Sequence, residues 1–92
     1  MFEIGDLCIS ELVNQLSQVD HNFKIFLQVS VGRYVHGDWG DILDSTKSIN
    51  EENAMYGIGR IFAKYNDVRG RSICIISNLD NHETNIVFAD EY

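Results

Sequence analysis

The sequence of 92 residues contains no proline, only two cysteines, half as many basic as acidic side chains and no long apolar run. Each shortage excludes something. Without proline, low-complexity stretches or internal repeats there is no linker to divide the chain and no solenoid period, so one domain over residues 1–92 is expected. Cys8 and Cys74 lie far apart, each among apolar residues, where a free cysteine packs as a small hydrophobe; reduced thiols in a cytosolic protein are the expectation. The most apolar stretch, "FKIFLQVSVGRYV", is interrupted by Lys24, Gln28 and Arg33 and is too short to cross a bilayer. No basic segment followed by an apolar run and a small-residue cleavage site opens the sequence, so no secretory signal is expected.

Seven basic against fourteen acidic residues leave a formal charge of −7. Binding to a phosphate backbone draws its free energy from cationic side chains that release counterions, so direct nucleic-acid binding is disfavoured. The charge is also uneven. Asp38 to Glu52 holds five acidic residues and one lysine, whereas Arg60 to Arg71 holds four basic residues and one aspartate. With 45% hydrophobic and 11% aromatic residues the composition is nonetheless that of a folded globular chain.

The order of local patterns predicts an α+β fold. "FEIGDLCI" alternates loosely and suits a short N-terminal strand. Ser10 then fits an N-cap for a helix through about Gln18, with Leu12, Val13, Leu16 and Val19 as its apolar face. Asp20 or Asn22 can cap a second helix to about Val35, whose core face is Phe23, Phe26, Leu27, Ser30 and Tyr34; a strand over "FKIFLQVSV" is the alternative. Ser48 with Glu51 matches the capping box, predicting a short third helix from Ile49 to Tyr56 that stops at Gly57. "GRIFAKYN", "RSICIISN" and "TNIVFADEY", separated by turn-rich "DVRG" and "LDNHE", predict a three-stranded antiparallel meander against which the helices pack. The continuously apolar Ile73 to Ile76 suits a central strand covered on both faces, by helices on one and a second subunit on the other.

The densest group of chemically capable residues is "VHGDWGD", Val35 to Asp41. His36 and Asp38 are close enough to share a proton or a metal ion, and Asp80, His82 and Glu83 form a second cluster in a turn. A shared site would need His36, Asp38 and His82 to converge. Two ligands in one turn are too few for a metal site, and no metal or cofactor pattern emerges elsewhere. The opposing reading is structural: Gly37 and Gly40 supply unusual backbone angles around a buried Trp39. Asp38, Asp41, Asp44, Glu51 and Glu52 are then candidate contacts to a protein partner, an acidic face that imitates nucleic-acid phosphates and fits a basic groove.

"GDWG", the helix start "NEENA", "GIGRIFAKY", "ICIISNLD" and the closing "TNIVFADEY" resemble, in the same order over nearly the whole chain, a family of small bacterial proteins labelled plasmid-related. Gly37-Asp38-Trp39-Gly40 carries most of the likeness, with Gly59, Arg60, Tyr65, Asp80, Thr84, Glu91 and Tyr92. Tyr34 and His36 depart from the family pattern, which usually has histidine at the first position and a small polar residue at the second. The resemblance implies association with plasmids, integrated elements or phages, often beside anti-restriction functions. The resulting expectation is a non-enzymatic cytoplasmic accessory protein that, without a cofactor, binds a protein partner and inhibits a host defence nuclease. A small hydrolase or nuclease using His36 and Asp38, and a homodimer burying Phe62 and Cys74 of its sheet, are the alternatives.

Overall fold

The computed structural model describes residues 4–92, and its elements run β1 (Asp6–Ile9), α1 (Glu11–Val19), α2 (His21–Val35), α3 (Asp44–Tyr56), β2 (Arg60–Asn66), β3 (Ser72–Asn78) and β4 (Glu83–Phe88), closed by a 3-10 turn over Ala89–Glu91. The strands form one sheet in the order β1-β4-β3-β2. β2, β3 and β4 are the expected antiparallel meander. The sheet has a fourth member that the meander reading omitted: β1 lies beside β4 and parallel to it, Asp6 opposite Glu83 and Ile9 opposite Ile86. Its place is fixed by contacts no local pattern could show. The Asp6 amide donates to the His82 carbonyl (2.8 Å), and the Thr84 hydroxyl donates to the Ile4 carbonyl (2.6 Å).

Alternation in the strands decides which face is inside. Ile61, Ala63 and Tyr65 of β2, Ile73, Ile75 and Ser77 of β3, and Thr84 and Ile86 of β4 are buried on one face. Phe23, Leu27 and Tyr34 of α2 and Val13 of α1 complete that core. A polar thread crosses it: the Tyr34 hydroxyl meets Ser77 Oγ at 2.7 Å, and Ser77 Oγ lies 2.6 Å from Thr84 Oγ1. Burial raises the Tyr34 phenol to about 12, so it stays protonated and a donor at any physiological pH.

Both cap assignments for the first two helices hold. Ser10 Oγ accepts from the Val13 amide (3.2 Å), and Asp20, rather than Asn22, accepts from the Phe23 amide (3.1 Å). Leu12 and Val19, expected on the core face of α1, are exposed, because α1 packs on α2 and β4 through Val13 with Leu16 half-buried. The third helix is longer than expected. It starts at Asp44, behind Leu43, with no side-chain cap, so Ser48 lies within it and no capping box forms there. The Glu51 carboxylate that would have closed the box accepts instead from Trp39 Nε1 at 3.0 Å.

Among the described residues α1 and α2 pack on the inner face of the sheet and α3 lies along its β2 edge, so no helix covers the outer face. Cys74 is nevertheless only 3% exposed on that face within one chain, so its burial requires no second subunit. The chain end returns over this side: the Tyr92 ring lies 5.5 Å from that of half-buried Phe62, and Glu91 accepts from the Ser10 hydroxyl (2.9 Å) and the Phe88 amide (2.8 Å). The closing Glu-Tyr pair thus ties the C-terminus to the first helix cap and to β2.

Candidate functional site

The "GDWG" turn is built as a closure for the sheet edge. Gly40 has a φ of 76° and forms a parallel bridge with Lys64, and a Cβ there would collide with the Lys64 carbonyl oxygen. Only glycine fits. On either side of it, the Lys64 amide donates to the Trp39 carbonyl (3.2 Å) and the Asp41 amide donates to the Lys64 carbonyl (2.8 Å). Trp39 is buried, edge-on to Tyr34 at 5.6 Å, as the structural reading expects.

Asp38 is occupied within the same turn. Its carboxylate accepts from Arg33 Nε (2.7 Å), Arg33 Nη2 (3.2 Å) and the Gly40 amide (3.2 Å), while its carbonyl accepts from the Tyr65 hydroxyl (2.6 Å). The Arg33 fork holds the Asp38 carboxyl below the ordinary carboxylate range. His36 turns elsewhere: its Nδ1 lies 2.8 Å from the Gly32 carbonyl and so carries the proton in that bond. His82 belongs to the β3–β4 turn, with φ 55°. From Gly40 it lies three strand spacings across the sheet and at the opposite end of the strands, roughly 20 Å away at strand geometry. The His36, Asp38 and His82 set therefore does not converge. Among the described residues no group of three or more His, Cys, Asp or Glu side chains is placed to hold a metal ion.

The acidic candidates divide in two. Asp38 pairs with Arg33, Glu51 with the Trp39 indole, and Asp41 accepts from Asn66 Nδ2 at 2.8 Å, so three of the five have internal partners. Asp44 is fully exposed, with Lys47 at 3.9 Å, and Glu52 is exposed; both lie on α3. Elsewhere two arginines gather on one carboxylate. Arg69 and Arg71 both reach Asp20 (3.1 and 3.2 Å), and Arg71 also approaches Asp67 (3.8 Å).

α3 carries the residues that sequence reasoning missed. Its one buried side chain is Asn50. Asn50 Nδ2 donates to the Phe62 carbonyl (2.7 Å) and its Oδ1 accepts from the Phe62 amide (3.1 Å), as a neighbouring strand would. One turn on, Asn53 Nδ2 donates to the Arg60 carbonyl (2.7 Å). Two amides on one helix face thus complete an edge strand. At about 100° per residue the helix then presents Ile49, Glu52 and Tyr56 on one flank and Asp44, Glu51 and Met55 on the other. Met55 is 78% and Tyr56 66% exposed, and Leu43, Ile49 and Ile58 are exposed with them. A helix spacing of asparagines at positions 50 and 53, out of phase with the apolar residues at 49, 55 and 56, is the signal that could have revealed this. On the outer sheet face an open groove of about 290 Å³ runs between Arg60, Ile76, Asn78, Glu83, Asn85, Val87 and Tyr92.

Comparison with protein-family models, with curated proteins and with solved structures returns no match for this chain. No helix among the described residues is long and apolar enough to cross a membrane.

Proposed function

We propose that this chain is a non-enzymatic accessory protein of a mobile element or phage, working in the cytoplasm, that binds a protein partner through the outward surface of α3. The partner class that fits is a nucleic-acid-binding host defence nuclease. One observation carries the reading: α3 turns asparagines inward and leaves Ile49, Met55 and Tyr56 in solvent, interleaved with Asp44 and Glu52, with Leu43 and Ile58 exposed just beyond its two ends. Apolar residues concentrated on one exposed helix mark a contact surface, and the flanking carboxylates favour a basic partner. The order of the "GDWG", "GIGRIFAKY" and closing Glu-Tyr motifs supports the mobile-element origin. The hydrolase alternative draws less support, since Asp38 is held by Arg33 and stands apart from His82.

The test is capture of the tagged chain from host lysate, with mass spectrometry and a nucleic-acid assay on the eluate, run beside two variants. Asp44→Lys with Glu52→Lys reverses the charge; Met55→Gln with Tyr56→Gln removes the apolar contacts. A nuclease recovered in stoichiometric amount by the wild type, weakened by salt and lost from both variants, supports the proposal. Equal recovery by all three sinks it.

A further inference from the structure

The two edges of the sheet are finished differently. Along β2 the backbone of Arg60, Phe62 and Lys64 is met by Asn53, Asn50, Trp39 and Asp41. Along the outer edge of β1 no strand is paired among the described residues. The Asp6 and Ser10 amides donate to the His82 and Ile86 carbonyls of the β4 side, so by strand alternation Leu7 and Ile9 direct their N–H and C=O groups outward. Their side chains remain 43% and 39% exposed. β1 contains neither the lysine nor the proline that commonly protects such an edge.

We propose that the open edge of β1 pairs antiparallel with the same edge of a second copy of this chain. Hydrogen-bonding parity and the strand's limits fix the register. In a two-fold antiparallel pair, outward-directed residues must face each other. Centring the pair on Leu7 would require Gly5, which has φ 64°, to be extended, and centring it on Ile9 would require Glu11, which begins α1. Centring it on Cys8 sets Leu7 opposite Ile9 of the second copy, and Ile9 opposite its Leu7. All four are within extended strand.

Charge agrees with a second copy as occupant. The only ionised residue of β1 is Asp6, and in this register it falls opposite Ser10 of the other chain and not opposite a second Asp6, so no two strand carboxylates are set directly across the seam. The product is a continuous eight-stranded sheet with β2 and α3 at each far end. At about 4.8 Å per strand its two β2 strands lie roughly 35 Å apart, which gives two α3 surfaces on one particle. This pairing does not depend on the partner proposed above and stands or falls separately from it.

The register makes a chemical prediction, because the two Cys8 residues become a non-hydrogen-bonded pair with Cα atoms about 4.5 Å apart, within disulfide range. In a Cys74→Ser background, diamide should accept two electrons and two protons from the paired Cys8 thiols and leave a covalent dimer on a non-reducing gel. Sedimentation velocity on the untreated full chain should show a concentration-dependent dimer. Leu7→Lys and Cys8→Asp should each weaken it at least about tenfold, with circular dichroism spectra like the wild type, since both residues are exposed. A chain that stays monomeric at the highest attainable concentration overturns the proposal. So does a dimer that forms no Cys8 link, or that persists in whichever of the two variants folds.

Discussion

α2 and α3 are helices of similar length that do opposite things with their sequences. α2 turns Phe23, Leu27 and Tyr34 into the core, and the one polar side chain buried with them, Ser30, donates to the Phe26 carbonyl of its own helix, so its packing rests on apolar burial. α3 turns Asn50 inward, spends it on the backbone of Phe62, and exposes Ile49, Met55 and Tyr56. The difference teaches that an apolar residue on a helix reports the core only when the surface it faces is apolar. The edge of β2 is a row of amides and carbonyls, and what it requires is a hydrogen-bonding side chain.

The comparison can be broken at its strongest point on each side. Phe23 is fully buried and lies against Phe26 and Phe88, at 5.9 and 5.6 Å. Phe23→Ala should therefore cost about 3–5 kcal/mol, measured by denaturant unfolding, the largest effect expected here. Asn50→Ala empties a buried position and leaves the part-buried amide and carbonyl of Phe62 without their partner, and should cost roughly 3 kcal/mol, a large loss for an asparagine. Asn50→Asp, which can accept but not donate when ionised, should recover only part of it.

A smaller effect concerns how α2 begins. The Phe23 amide, followed by Arg71 and Arg69, holds the Asp20 carboxyl below its ordinary value. A carboxyl whose folded pKa is depressed stabilises the fold fully above its unfolded pKa and loses that contribution as pH falls through the folded value. Asn can keep the cap to Phe23 but has no ionisable proton. Thermal melts of Asp20→Asn between about pH 6 and pH 3 should thus show a shallower acid limb than the wild type; an unchanged limb would remove Asp20 from the account.

Much of the frame was legible in the sequence because it is local. Ser10 and Asp20 cap where their spacing says they should, and "RIFAKYN" alternates so that Ile61, Ala63 and Tyr65 go in while Arg60, Phe62 and Lys64 go out. The place of β1 was not legible, since its partner β4 is more than seventy residues away and the bonds from Asp6 and to Ile4 are set by the fold. The start of α3 departs from the sequence pattern for a physical reason: Leu43 gives no cap signal, whereas Ser48 and Glu51 spell a capping box that Trp39 outcompetes for the carboxylate. The sequence groups Asp38, Asp41, Asp44, Glu51 and Glu52 as candidate contacts without saying which way each side chain faces. Folding assigns Asp38 to Arg33, Asp41 to Asn66 and Glu51 to Trp39, and leaves Asp44 and Glu52 beside apolar residues no charge count could have singled out.

The most direct measurement is a paired unfolding experiment on α3, comparing Asn50→Ala with the double variant Met55→Gln and Tyr56→Gln, both glutamines being good helix formers. The account predicts that the asparagine variant loses roughly 3 kcal/mol while the double variant stays within about 0.5 kcal/mol of the wild type. The reverse order, with the apolar pair costing more than Asn50, would mean that α3 is held by its hydrophobic residues and has no spare surface to offer a partner.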